Sequence, residues 1–265
     1  MSVDGTLSTR FGAGLGYIPK AVSWIFSTHR RLLAYVVLPA LVNILLFALL
    51  FVILRSYGGD LVEALEGLMA GDHPWYLAWL VMLARALLWL VVVVVVAVVA
   101  FFTVYFLGNV IAAPFNDLLS AKVEAIRLGL EEEPFSLSAF MADIGFTVKE
   151  ELKRLGFFLL ISMGLILLNV IPLVGSAAHF VIGGWLMLLF FALEYLDLPM
   201  ARGRRHPFSQ RWKVVRRNLV ICTGFGTSTA LLLGIPLLNF LCIPLAVVGG
   251  TLMYADLKEA GRLLH

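Results

Sequence analysis

The chain has 265 residues, 61% of them hydrophobic and 14% charged, with a formal charge of +3. Soluble domains are about 45–50% apolar and about 25% charged, so too few charges are present here to coat a soluble globule. A disordered chain, a disulfide scaffold and a nucleic-acid-binding domain are excluded, and four long stretches without Asp, Glu, Lys or Arg read as membrane segments.

The first of these, Leu32–Leu54, has 23 residues, about 34 Å of helix and enough for one span of a bilayer core about 30 Å thick. It is too long for the apolar region of a signal peptide and no small-residue cleavage site follows, so this helix is expected to stay in the mature protein. Directly before it stands Ser27-Thr28-His29-Arg30-Arg31. If Ser27 or Thr28 caps the helix, backbone N–H groups and the positive end of the dipole stand beside two guanidiniums, a competent oxyanion site. The same arginines also suit plain topology anchors that snorkel to lipid phosphates. Asn43 interrupts the apolar span, either as polar glue between helices or as a pore residue.

The second stretch, Ala86–Asn116, crosses once near Ala86–Leu107 and continues past the bilayer through Gly108, Asn109 and Pro114. Six consecutive valines, Val91–Val96, suit a lipid environment. Asn109 and Asn116 are seven apart and share a helix face, although Pro114 favours a bend between them. That face would line a watery path; alternatively Asn109 bonds across a helix interface while Asn116 or Asp117 caps the next helix. The linker from Asp117 to Arg154 reads as helical. One helix carries Lys122, Glu124 and Arg127 to a stop at Gly129, and another runs from about Ser138 through Glu150 and Arg154.

The last two stretches, Leu155–Leu193 and Asn218–Ala255, are too long for one span, and each is broken near its middle by a proline, Pro172 and Pro236. Their arms are at or below the minimum for a crossing, and no charged residue holds either tip in water. Re-entrant hairpins, entering and leaving on one face, are expected rather than paired full spans. Ser209, after Pro207-Phe208, is placed to cap the helix feeding the second hairpin. A weak repeat links the two halves: Ile171-Pro172-Leu173 matches Ile235-Pro236-Leu237, and Tyr195-Leu196-Asp197-Leu198 matches Tyr254-Ala255-Asp256-Leu257. Of 20 Lys and Arg, only Arg55 and Arg85 lie between the first two spans. With both hairpins returning, the tally is 18 against 2, which places the N-terminus, linkers and C-terminus in the cytoplasm.

Cys222 and Cys242 lie in apolar arms and read as packing residues, and His179 reads as a packed, neutral histidine. No H-E-x-x-H, G-x-S-x-G, Walker loop or Cys/His cluster occurs, so neither an enzyme nor a metal or cofactor site is expected.

The segment NVIAAPFNDLL at Asn109–Leu119, followed by Lys122, Val123 and Glu124, resembles the signature of the bacterial CysZ sulfate-permease family. The resemblance extends to Leu38-Pro39 with Asn43, to Tyr195, Asp197 and Pro199 ahead of Pro207-Phe208, and to IPLLNFLCIPLAVVGG at Ile235–Gly250 with Tyr254 and Asp256. It implies an inner-membrane sulfate importer feeding cysteine biosynthesis, with proton-dependent uptake, two long membrane helices, two partly penetrating hairpins and a homo-oligomeric state. The family's sulfate motif, of Gly-Leu-Arg type, falls on Thr28-His29-Arg30 with Arg31 next. The arginines are kept, while Thr28 replaces the glycine that would let the backbone approach an anion closely.

The expected protein is therefore an all-α integral membrane protein: two long transmembrane helices (about 32–54 and 86–107) and two proline-broken re-entrant hairpins (about 155–193 and 218–255) on a cytoplasmic helical base. One transport domain covers residues 1–265. Sulfate is the expected substrate, bound by Arg30, Arg31, Thr28 and His29, and Asn109, Asn116, Glu124 and Asn43 are pore-lining candidates. Membrane lipid and further copies of the chain are the expected partners. Competing functions are a less selective anion channel or sulfite exporter, and a membrane scaffold that moves no solute.

Overall fold

The computed structural model describes residues 5–68, 74–131, 136–171, 174–202, 206–234 and 239–263, and among them all regular structure is helical. Two short helices, α1 (Leu7–Leu15) and α2 (Tyr17–Ser23), precede the long α3 (Leu33–Leu68) and α4 (Ala78–Leu128). After them come α5 (Leu137–Leu168), α6 (Val174–Ala201), α7 (Phe208–Arg217), α8 (Leu219–Leu233) and α9 (Asn239–Glu259). α3 runs through Pro39 and α4 through Pro114 without interruption of the helix. α4 ends where the sequence predicts, before Gly129, whose φ of 64° is the left-handed conformation that glycine adopts without a Cβ clash.

The chain forms two compact units, Leu38–Pro114 and the remainder. Leu38–Pro114 holds most of α3 and the first part of α4. Its apolar side chains, Leu45, Phe51, Val91, Val99 and Phe101 among them, face outward. Such a surface is stable only against lipid or another apolar partner.

Among the described residues, three helices are long and apolar enough to cross a membrane: Arg30–Asp60, Ala78–Thr103 and Val174–Ala201. The second begins earlier than the expected 86–107, because Arg85 is tolerated inside a helix that already starts at Ala78. The third arises because the break in the first hairpin is uneven. Beyond Arg154, α5 has 14 charge-free residues, Leu155–Leu168, or about 21 Å. α6 has 20 charge-free residues, Val174–Leu193, or about 30 Å. In the second pair α8 spans 15 residues, about 22 Å. Pro172 and Pro236, the expected hairpin breakers, lie outside the described residues.

The second unit, Met1–Val37 with Phe115–His265, contains the core. α5 and α6 pair antiparallel: Arg154 meets Glu194 at one end, and Asn169 meets His179 at the other. α8 and α9 do likewise, with Asn218 bonded to the Arg262 carbonyl at one end and Cys242 to the Leu232 carbonyl at the other. Tyr17, Ile25, Leu193, Leu196, Phe225, Leu252 and Leu257 fill the space between the pairs. Glycines permit the closest crossings. A Cβ on Gly224 would stand 2.3 Å from the Phe11 carbonyl oxygen, and one on Gly226 only 1.9 Å from that of Leu188. Backbones in contact need small residues at the crossing, a common solution where lipid supplies no hydrophobic drive between helices.

Candidate functional site

The residues ahead of α3 adopt unusual local geometry. Trp24–Thr28 forms a π-helical turn and Arg30–Leu32 a 3₁₀ turn that leads straight into α3. π-turns of this kind often mark functional positions in helices. Neither Ser27 nor Thr28 caps the helix, contrary to the sequence expectation. Within the wide turn the Ser27 hydroxyl turns back to the Ser23 carbonyl, with the Thr28 hydroxyl 3.2 Å away. His29 occupies the position before the 3₁₀ turn, and its ring stacks on the Trp24 indole with centroids 3.9 Å apart.

Arg30 Nε donates to the Phe26 carbonyl at 3.0 Å, which fixes one edge of an exposed guanidinium. Arg31 is exposed beside it. The N–H groups of Arg30 and Arg31 open a helix that continues to Leu68, where no intrahelical carbonyl meets them. Two guanidiniums, free helix N–H groups and the dipole end therefore share one short segment, an arrangement that binds oxyanions.

Elsewhere in the same unit, three clusters pair acidic side chains with basic partners. Asp256, on α9, accepts from Tyr17 Oη at 3.0 Å, Lys20 Nζ at 3.0 Å and Arg127 Nη2 at 2.8 Å. Burial, then the Asp256 charge, raises the Tyr17 hydroxyl far above its ordinary pKa, so it stays a donor. Asp197, on α6, is held by Arg211 Nη1 at 2.8 Å and Arg154 Nη1 at 3.2 Å. Asp117 and Glu124, on α4, both hold Arg202, with Glu124 at 2.6 Å. Together these clusters fasten α2, α4, α5, α6, α7 and α9 at their charged ends.

Glu150 does the work expected of Ser209. Helix α7 starts at Phe208 with Pro207 before it and no side-chain cap from its own segment; instead Glu150 Oε2 accepts the Phe208 N–H at 2.7 Å. The donor left over at a helix start is thus met from α5. Burial would raise the Glu150 carboxyl, but the bonds from Lys153 and Phe208 N outweigh it and hold its pKa below the usual range.

The other predicted residues separate. Glu124 is buried and ion-paired rather than open to a path. Asn116 is half-buried, and its Oδ1 has no hydrogen-bond partner among the described residues. The side chains of Asn43 and Asn109 lie outside the described residues. Arg154, Arg202 and Arg211 are not among the site residues expected from the sequence, although the repeated Tyr-x-Asp-Leu contains Asp197, the partner of Arg154 and Arg211, and Asp256. Their separations, 43 residues between Arg154 and Asp197 for instance, carry no local signal.

The model of one protein family, described as sulfate transporter CysZ/etoposide-induced protein 2.4, matches residues 17–244. A sulfate transporter CysZ of Pseudomonas fluorescens (strain Pf0-1) is 33% identical over 256 residues, covering 95% of this chain and 96% of its own. One from Pseudomonas aeruginosa (strain LESB58) is 32% identical, covering 94% and 96%. One from Salmonella typhimurium is 30% identical, covering 93% and 96%.

Proposed function

The chain belongs to the sulfate transporter CysZ/etoposide-induced protein 2.4 family, and from that membership we propose that it is a sulfate permease of the bacterial inner membrane. The observation that carries this reading is the coincidence of similarity over nearly the whole chain with an oxyanion-competent arginine pair at the start of the first long apolar helix. Sulfate only accepts hydrogen bonds, whereas hydrogen phosphate also donates one. The Thr28–Arg31 segment offers donors and no carboxylate, which favours sulfate.

Capture begins at Arg30 and Arg31, with Thr28 and His29 shaping the turn. Passage follows the long helices and hairpins, with Asn116, Asn109 and Asn43 as lining and Glu124 holding Arg202 in place. The apolar part of α5 and the whole of α8, about 21 and 22 Å, fall short of a hydrocarbon core of about 30 Å. Both hairpins therefore enter and leave on the same face, and the charged helix ends form a cytoplasmic base. The 18-to-2 distribution of Lys and Arg puts both termini in the cytoplasm. In this reading the imported sulfate supplies cysteine biosynthesis, uptake depends on a proton gradient, and the protein works as a homo-oligomer in a lipid bilayer.

Uptake of labelled sulfate into proteoliposomes, with and without an imposed proton gradient, tests this. Sulfate accumulation that rises with the gradient is expected. Unselective anion currents would point to a channel, and no solute movement at all would point to a scaffold.

A further inference from the structure

The α5–α6 hairpin carries a polar pair at an unexpected depth. The Asn169 amide donates to His179 Nδ1 at 2.7 Å, which places the ring proton on Nε2. His179 is the sole ionisable residue in Leu155–Leu168 and Val174–Leu193, and it is half-buried rather than packed away as the sequence suggested. Its neighbours are bare hydrocarbon: Phe180 is 82% exposed and Val170 80%.

The level of the pair follows from the helices themselves. Arg154 and Glu194 are ion-paired at 2.8 Å and mark the charged end of the hairpin. Asn169 lies 15 residues beyond Arg154, and His179 lies 15 residues before Glu194. At about 1.5 Å per residue both stand about 22 Å from that end, inside a hydrocarbon core of about 30 Å. Lipid chains offer no partner for the remaining Nε2–H of His179 or for the free oxygen of Asn169. Ionisable side chains at such depth face water or another polar group. The ring lies over Gly183 in van der Waals contact, with His179 Cδ2 3.5 Å from the position of a Cβ there.

We propose that Asn169 and His179 form a second oxyanion contact, at the tip of the α5–α6 hairpin, on a water-filled path through the membrane. This inference rests on the permease reading and adds a site to it. The pair offers two neutral donors, the Nε2–H of His179 and the second amide N–H of Asn169, with no carboxylate between them. Neutral donors hold a dianion weakly, as a transfer point must if the ion is to leave again.

The test uses the full chain in lipid vesicles and needs no transport. His179→Cys is exposed to a charged, membrane-impermeant methanethiosulfonate, with and without sulfate. Phe180→Cys, one position round the helix, is the lipid-facing control, and the wild type, whose Cys222 and Cys242 are buried, gives the background. The expected result is rapid labelling at 179, little at 180, and clear slowing at 179 by sulfate. Labelling at 179 as slow as at 180 overturns the proposal, as does fast labelling indifferent to sulfate. Disulfide formation between His179→Cys copies also overturns it, in favour of a contact between protomers.

In uptake assays His179→Phe should lose about tenfold or more, the cost of one charge-assisted hydrogen bond, and His179→Asn should recover part of that loss. Unchanged uptake by His179→Phe overturns the tip contact and leaves the permease reading intact. Sulfate-protected labelling without any wild-type uptake does the reverse.

Discussion

Asp197→Asn and Asp256→Asn remove one charge each from corresponding positions of the repeat, yet they should differ in cost. Asp256 is buried, but its partners Lys20 and Arg127 are 31% and 30% exposed and can be rehydrated. Their contributions are discounted for solvent screening to about 0.5–1 kcal/mol each. Adding a weakened bond from the buried Tyr17 hydroxyl, about 1 kcal/mol, gives a loss of about 2–3 kcal/mol. Asp197 differs because Arg211 is 3% exposed and Arg154 9%. Among the described residues Asp197 is the only direct ion-pair partner of Arg211, so the asparagine variant leaves a buried guanidinium with only the more distant Glu150 and Glu151 carboxylates to balance it. Breaking a buried pair in this way costs about 3–5 kcal/mol. For a chain of this size 1 kcal/mol corresponds to about 2–4 °C in Tm, so Asp197→Asn should melt visibly below Asp256→Asn. The melts are followed by circular dichroism in detergent. Asp197→Asn combined with Arg211→Met should recover part of the loss, since the stranded charge goes with it. Equal losses for the two single variants, or no recovery in the double variant, would refute the assignment of the cost to a buried arginine deprived of its direct partner.

Gly226→Ala forces a Cβ to within 1.9 Å of the Leu188 carbonyl oxygen, so α6 and α8 must separate, at a cost of at least about 1–3 kcal/mol. Gly184→Ala, which meets nothing within 4 Å, should be neutral or stabilising by up to about 1 kcal/mol, as paired thermal melts will show. The depressed pKa of Glu150 means that its ionised form is favoured by folding. The stability it adds is present above the ordinary carboxylate pKa of about 4.3 and lost as the pH falls below it. The gap in Tm between wild type and Glu150→Gln should therefore be full at pH 7 and close on acidification; a gap independent of pH contradicts this. Arg30→Ala should weaken sulfate binding to the purified protein about 10–100-fold, the loss of a charge-assisted contact. Arg216→Ala, on the exposed face of α7, should change it little, and equal losses would indicate diffuse attraction instead of a site.

How far the molecule could be read in advance depended on the range of each interaction. The stop of α4 at Gly129 and the course of α5 past Arg154 follow from periodicity and single-residue preferences, which act within a few positions. The caps expected from Ser27 and Ser209 failed for complementary reasons. At Ser27 the chain widens into a π-turn and the hydroxyl finds a carbonyl four residues back. At Phe208 a carboxylate 58 residues away reached the open N–H first.

His179 illustrates the same limit: a lone histidine in an apolar arm has no visible partner until the hairpin folds and brings Asn169 alongside. Sequence alone determined that this chain is built of helices for a membrane and that arginines stand at the entrance of its first long one. Composition and apolar run length are one-dimensional quantities, and the bilayer acts on them directly. Only the tertiary structure decided which acids pair with which bases, that Glu124 is committed to Arg202, and where two backbones touch at Gly226. Those outcomes depend on residues far apart in the chain meeting at ångström distances, which no local pattern encodes.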